Sequence, residues 1–154
     1  MTEGNGVIII KEELTNILNE SLKAKDVIKV SVIRLLKSAI KNAEIDKRRE
    51  LADDEIYGLI SSAIKQRRES ITEFQKGKRQ DLVDKETSEL KILEKFLPPQ
   101  LSKEEITKLI NDAVKDVSAI GPRDIGKVMS AIMPKVRGKA DGTEVNRLVR
   151  EILK

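Results

Sequence analysis

Two short stretches of this chain lie close to known chemistry. Gly121-Pro122-Arg123-Asp124-Ile125-Gly126-Lys127-Val128 follows the phosphate-binding pattern G-x-x-x-x-G-K-[ST] up to its last position. In that pattern the glycines let backbone N–H groups wrap the phosphates, and the closing hydroxyl holds Mg²⁺. Here Val128 has no hydroxyl, Pro122 removes one donor, and the residues before Gly121 read as a helix end instead of a strand. Ser62-Ala63-Ile64-Lys65 has the S-x-x-K spacing in which a lysine activates a serine. The companion S-D-N and K-T-G elements are missing, and Ser62 falls off the apolar stripe of its segment. Neither stretch predicts a nucleotide site or a catalytic serine.

Two other charges fall on apolar stripes. Arg67 lies between Ala63/Ile64 and Ile71, and Glu86 lies between Leu82/Val83 and Leu90. An unpaired charge there is costly, so each must find a partner or reach solvent by its long stem. We expect an Arg67–Glu86 pair, with Arg34 or Glu89 as further members. The alternative, a carboxylate metal site, is opposed by the nearby arginines. Composition narrows the chemistry further. The chain has no Cys and no His, which removes thiolate nucleophiles, Cys-type zinc sites, Ser-His-Asp triads and histidine bases. No catalytic residue, cofactor or metal is expected, and composition favours a binding or structural role.

The elements that must position these residues are helical. Aromatics reach only 2% of 154 residues, and apolar residues recur at helical spacing throughout. Leu14, Ile17, Leu18 and Leu22 form a first stripe, beginning after Lys11. Ile28, Val32, Leu35, Leu36, Ala39, Ile40 and Ala43 form the predicted core face of a second helix, whose far end carries Lys47, Arg48 and Arg49. Asp53 reads as the N-cap of a third helix that Gly77 ends. A fourth follows, with Leu82, Val83, Leu90, Leu93, Phe96 and Leu97 inward. Pro98-Pro99 then interrupts the helical pattern. Ser102 to Glu105 predicts a capping box, Gly121-Pro122 a turn into a stripe that runs to Pro134, and Asp141 with Glu144 the cap of a last helix. The expected fold is all-α. Residues 1–97 form an N-terminal four-helix unit, joined at the Pro-Pro break to a C-terminal three-helix unit of residues 98–154.

Residues 1–97 carry 19 basic and 18 acidic side chains, and residues 98–154 carry 11 and 8. From Gly121 onward the count is 8 against 4, a basic end compatible with a polyanion. The apolar run Val7-Ile8-Ile9-Ile10 is too short for a signal-peptide core, and nothing approaches a membrane span of about 20 residues. A cytoplasmic protein without membrane attachment is therefore expected.

Six ordered segments carry a resemblance: Ile33-Arg34-Leu35-Leu36-Lys37-Ser38-Ala39-Ile40-Lys41-Asn42, Gln66-Arg67-Arg68-Glu69-Ser70, Arg79-Gln80-Asp81-Leu82, Phe96-Leu97-Pro98-Pro99-Gln100-Leu101, Asp124-Ile125-Gly126-Lys127-Val128-Met129 and Gly138-Lys139-Ala140-Asp141-Gly142. Together they resemble the GatB/YqeY family from about Leu14 to Leu153. The resemblance implies a four-helix unit followed by a three-helix one. It also implies kinship with the tail of the tRNA-dependent amidotransferase B subunit, where such a module helps hold tRNA away from the chemistry. A glutamine-dependent carbon–nitrogen ligase activity attaches to that family, but its amidase and phosphorylating machinery has no counterpart here. The implied role is a non-catalytic tRNA-binding accessory module, with a tRNA-modifying or aminoacylating enzyme as a further partner. Its candidate contacts are Arg123, Lys127, Lys135, Arg137, Lys139, Arg147 and Arg150, beside glycine-containing turns and helix starts. Tyr57, Phe74 and Phe96 read as helix-face residues, so recognition by shape and backbone is expected over base stacking. The alternative is a helical adaptor that docks an enzyme or ribosome-associated partner through an exposed apolar patch, with Val7–Ile10 as the candidate.

Overall fold

The computed structural model describes residues 6–154, with side chains from Ile10 onward. Among the described residues there are seven α-helices and one 3₁₀ turn, and no β-strand, so the fold is all-α. The order is α1 (Gly6–Lys23), α2 (Val27–Lys47), α3 (Asp53–Lys76), α4 (Gln80–Glu94), α5 (Lys103–Asp116), the 3₁₀ turn Pro122–Asp124, α6 (Ile125–Val136) and α7 (Gly142–Ile152). The chain divides into two compact units, Met1–Leu97 and Pro98–Lys154.

In the first unit, Ile10 and Leu14 of α1 meet Val32, Leu36 and Ile40 of α2, Ile56, Ile60 and Ile64 of α3, and Leu93 of α4. These i, i+4 repeats give each helix one inward stripe. α2 has more apolar residues than that stripe can bury. Ile28, Leu35 and Ala39, expected inward, are exposed, as is Leu22 of α1. The buried face of α2 is Val32, Ile33, Leu36 and Ile40. The run Val7–Ile10 belongs to the first turns of α1. Ile10 is part of the core, and the side chains of Val7–Ile9 lie outside the described residues.

Several helix ends differ by a residue from their sequence signals. The N-cap of α3 is Ala52, not Asp53, because Glu55 reaches back to accept the Ala52 N–H at 3.1 Å. α3 ends before Gly77, but the left-handed residue of that turn is Lys78, with φ 56°. α6 runs through Pro134 to Val136. A proline that late disturbs only the final turn, and Arg137 N–H still reaches the Met133 carbonyl at 2.9 Å.

The second unit closes α5, α6 and α7 over Ile106, Ile110, Ala113, Val128, Ile132, Val136, Val145, Leu148, Val149 and Leu153. Ser102 and Glu105 form the expected reciprocal capping box at the start of α5, at 3.1 and 3.3 Å. Asp141 caps α7 by accepting the Thr143 N–H at 3.0 Å.

Candidate nucleic-acid interface

The densest set of predicted contacts, Lys135, Arg137 and Lys139, lies at the turn between α6 and α7. Arg137 leaves the helix with extended backbone (φ −59°, ψ 123°), and Gly138 follows at φ 80°. That left-handed conformation is the one glycine adopts without a Cβ penalty. The chain then folds back, with Lys139 N–H and Ala140 N–H both on the Val136 carbonyl at 2.8 and 3.0 Å.

The Pro-Pro segment holds this turn in place. Leu101 N–H donates to the Lys139 carbonyl at 2.8 Å. Gln100 Nε2 donates to the Gly138 carbonyl at 2.8 Å and to the Pro98 carbonyl at 2.9 Å. Two segments far apart in sequence, Pro98–Leu101 and Gly138–Gly142, therefore form one clasp. Gln100 was not among the predicted site residues. A side-chain amide binding a backbone carbonyl 38 residues away leaves no periodic trace.

The seven predicted cations fall into three groups. Arg123 sits in the 3₁₀ turn before α6, and Lys127 in the first turn of α6. Lys135 follows about 12 Å along the helix axis from Lys127 and joins Arg137 and Lys139 at the clasped turn. Arg147 and Arg150 lie on α7, opposite the buried face of Val145, Leu148 and Val149. Their surroundings differ. Arg147 is bracketed by Glu144 and Glu151, each at 2.6 Å, so its local balance is acidic. The Arg147 guanidinium in turn holds the Glu144 carboxyl below its usual range. Arg150 donates to Asn146 Oδ1 at 2.7 Å. Lys127 stands 3.6 Å from Asp124, and Arg137 is half-buried and partnered. Arg123, Lys135 and Lys139 make no side-chain ion pair among the described residues.

The helix starts offer phosphates less than the sequence suggests. At α7 the Asp141 carboxylate already takes the Thr143 N–H and places a negative charge at the helix start. Before α6, Asp124 turns back to accept the Ile120 N–H at 2.9 Å, a bond that lowers its pKa. The near-match to a phosphate loop is thus a 3₁₀ turn that runs into the first turn of α6, with its corner closed by an acid. Ser62 is exposed on α3. Among the described residues no cluster of three or more acidic side chains could hold a metal, and no helix is long and apolar enough to cross a membrane.

The charges predicted on apolar stripes do meet. Arg67 Nη1 donates to Glu86 Oε2 at 3.0 Å and also to Glu89. The three side chains are 16%, 20% and 10% exposed. Glu89, expected only as a further member, is the most buried of them. Arg34 is exposed and takes no part.

The sequence matches the Yqey-like protein family over residues 11–153. It is 35% identical over 140 residues to "Altered inheritance of mitochondria protein 41, mitochondrial" of Kluyveromyces lactis, covering 89% of this chain and 70% of that protein. The protein of the same name in Pyrenophora tritici-repentis is 30% identical over 139 residues, covering 88% and 76%. That of Saccharomyces cerevisiae is 36% identical over 121 residues, covering 75% and 65%. Neither the family's description nor these names carry a catalytic activity, and none is assigned to this chain. The names do correct the cytoplasmic expectation, since they point to the mitochondrion. That expectation rested on the lack of a secretory core and a membrane span, features that do not separate cytoplasm from mitochondrial interior. A match to the family over residues 11–153, with relatives at 30–36% identity, settles the kinship: the chain belongs to the Yqey-like protein family.

Proposed function

We propose that this protein is a non-catalytic accessory module that binds structured RNA, tRNA in the first instance, through the clasped turn between α6 and α7. The observation that supports this reading is the turn itself. Lys135 and Lys139, without acidic partners, flank a backbone fixed by Gly138, Gln100 and Leu101, and Arg137 stands between them. A pre-shaped cationic turn meets a phosphate backbone with little ordering cost. Arg123 and Lys127 extend the footprint along α6, while Arg147 contributes least because Glu144 and Glu151 already match its charge. The kinship with the amidotransferase tail and with a partner enzyme belongs to the same proposal.

The test is binding of tRNA across a salt series. With about three phosphates engaged, log K should fall with log salt at a slope near −3. Changing Lys135, Arg137 and Lys139 to Ala should flatten that slope and weaken binding at low salt. Changing Arg147 to Ala should do neither. No binding at low salt would refute the reading.

A further inference from the structure

The outward face of α2 is unlike an ordinary solvated helix face. Among the described residues, four of the six large exposed hydrophobics lie on α2: Val27, Ile28, Leu35 and Ile45. Ile28 is 46% exposed and Leu35 58%. Ile28, Ser31, Leu35, Ser38, Asn42 and Ile45 follow one another at intervals of three, four, three, four and three, the spacing of a coiled-coil seam. All six are exposed. The seam runs about 26 Å along the helix. Its small members, Ser31 and Ser38, let another backbone come close between the apolar positions, and Asn42 supplies a polar register mark.

One edge of this seam is basic. Arg34 and Lys41 stand seven residues apart, so both lie along the same side of Leu35 and Asn42. Both are exposed, and neither side chain has a partner among the described residues. Beyond them the surface dips into a cleft of about 440 Å³ between α1 and α2, lined in part by Lys11, Lys37, Lys41 and Glu44. Lys11 is held by Glu44, and Lys37 donates to the Thr15 hydroxyl at 2.6 Å without meeting a carboxylate. Three lysines against one glutamate leave the cleft positive. The opposite edge of the seam carries Ala39 and Asp46.

We propose that this face docks an amphipathic helix of a partner protein, with an apolar stripe on the Ile28–Ile45 seam and acidic residues along the Arg34–Lys41 edge. The apolar seam selects a helix packed at coiled-coil spacing. The unpaired cations select its charge and its orientation. An RNA would satisfy the edge and leave the seam in water. This surface lies in the first unit and involves none of the residues assigned to RNA.

The test uses three things: the full chain, a lactam-bridged monomeric 21-residue peptide with Leu at seam positions and Glu on its flanks, and the same peptide with Lys for Glu. Fluorescence anisotropy should show the Glu peptide binding and the Lys peptide failing. Leu35→Asp should weaken the Glu peptide about tenfold or more while leaving the melting temperature unchanged, since Leu35 is exposed. Arg34→Glu with Lys41→Glu should reverse the preference between peptides. Equal binding of the two peptides, or indifference to these substitutions, overturns the proposal. So does a dimer of the unmodified chain that Leu35→Asp dissociates, which would make the occupant a second copy. Displacement of the Glu peptide by tRNA would assign the face to RNA and overturn it equally. Failure of the salt-series test with Lys135, Arg137 and Lys139 bears on the other unit alone.

Discussion

In Met1–Leu97 the packing of α3 on α4 encloses a guanidinium and two carboxylates, and the corner from α2 to α3 is closed by carboxylates as well. Glu44 takes Lys11 and the Leu51 N–H at 2.8 Å, while Glu55 takes Arg49, Lys47 and the Ala52 N–H. In Pro98–Lys154 the buried cluster is entirely apolar, and the pairs of Arg147 with Glu144 and Glu151 lie at the surface. The difference shows where charge remains available for ligands. In the first unit many charges are consumed in fixing helix ends and walls, and two cations without partners among the described residues, Arg34 and Lys41, stand beside an apolar seam. In the second unit the buried cluster holds no charge, and Lys135 and Lys139 of the α6–α7 turn stand without acidic partners among the described residues, around a backbone held by neutral hydrogen bonds.

Removing Arg67 should have the largest effect on this contrast. Arg67→Met leaves Glu86 and Glu89 facing each other in a largely buried setting, and urea unfolding should show a loss of about 3 kcal/mol. Restoring neutrality should recover most of it. Since Glu89 also contacts Arg67, the compensating variant must change both carboxylates, as Arg67→Met with Glu86→Gln and Glu89→Gln. If the triple variant is no more stable than Arg67→Met, the charges are not coupled, and the first unit does not use them as described. A smaller loss is expected from Gly138→Ala in the second unit. Its φ of 80° should cost about 1–2 kcal/mol in an L-residue, read in the same titration. If Gly138→Ala weakens tRNA binding beyond what unfolding accounts for, the shape of the turn, and not only its charge, serves recognition.

These residues also show what a sequence can reveal. Arg67 and Glu86 could be paired on paper because a charge on an apolar stripe has few ways to exist. Their true third member, Glu89, was harder to place, because one turn of α4 offers two carboxylates within reach. Val32, Leu36 and Ile40 were legible as core, but Ile28 and Leu35 read the same way. Periodicity marks a stripe without saying how wide a neighbour will cover it. The cations of the tail were legible as a group, yet their division was not. Glu144 and Glu151 bracket Arg147 at helical spacing, whereas Lys139 depends on a turn that Gln100 closes from 38 residues earlier, before α5 and α6.

Acid should separate the two units by the smallest but most specific effect. The Arg49 guanidinium, gripping Glu55 through two bonds of 2.7 and 2.9 Å, holds the Glu55 carboxyl well below the usual carboxylate range. Lys11 lowers Glu44 likewise. A carboxylate whose pKa is depressed by folding contributes its stability above the unfolded value of about 4.3, and loses it as pH falls through the folded value. Of the lowered carboxyls of the second unit, Glu144 lies at the surface, where solvent screens its partner Arg147, and Asp124 owes its lowering first to one backbone N–H, that of Ile120, and only then to the exposed Lys127. Hydrogen exchange followed from pH 6 down to pH 2 should therefore show amides of α2 and α3 losing protection before those of α6 and α7. Glu55→Gln should cost about 1 kcal/mol at neutral pH and make the first unit less sensitive to acid, because the variant has no depressed carboxyl at that corner to protonate. Loss of protection in both units together, or an acid response unchanged in Glu55→Gln, would mean that the corner charges do not stabilise the first unit and that its distinction from the second lies in the Arg67 cluster alone.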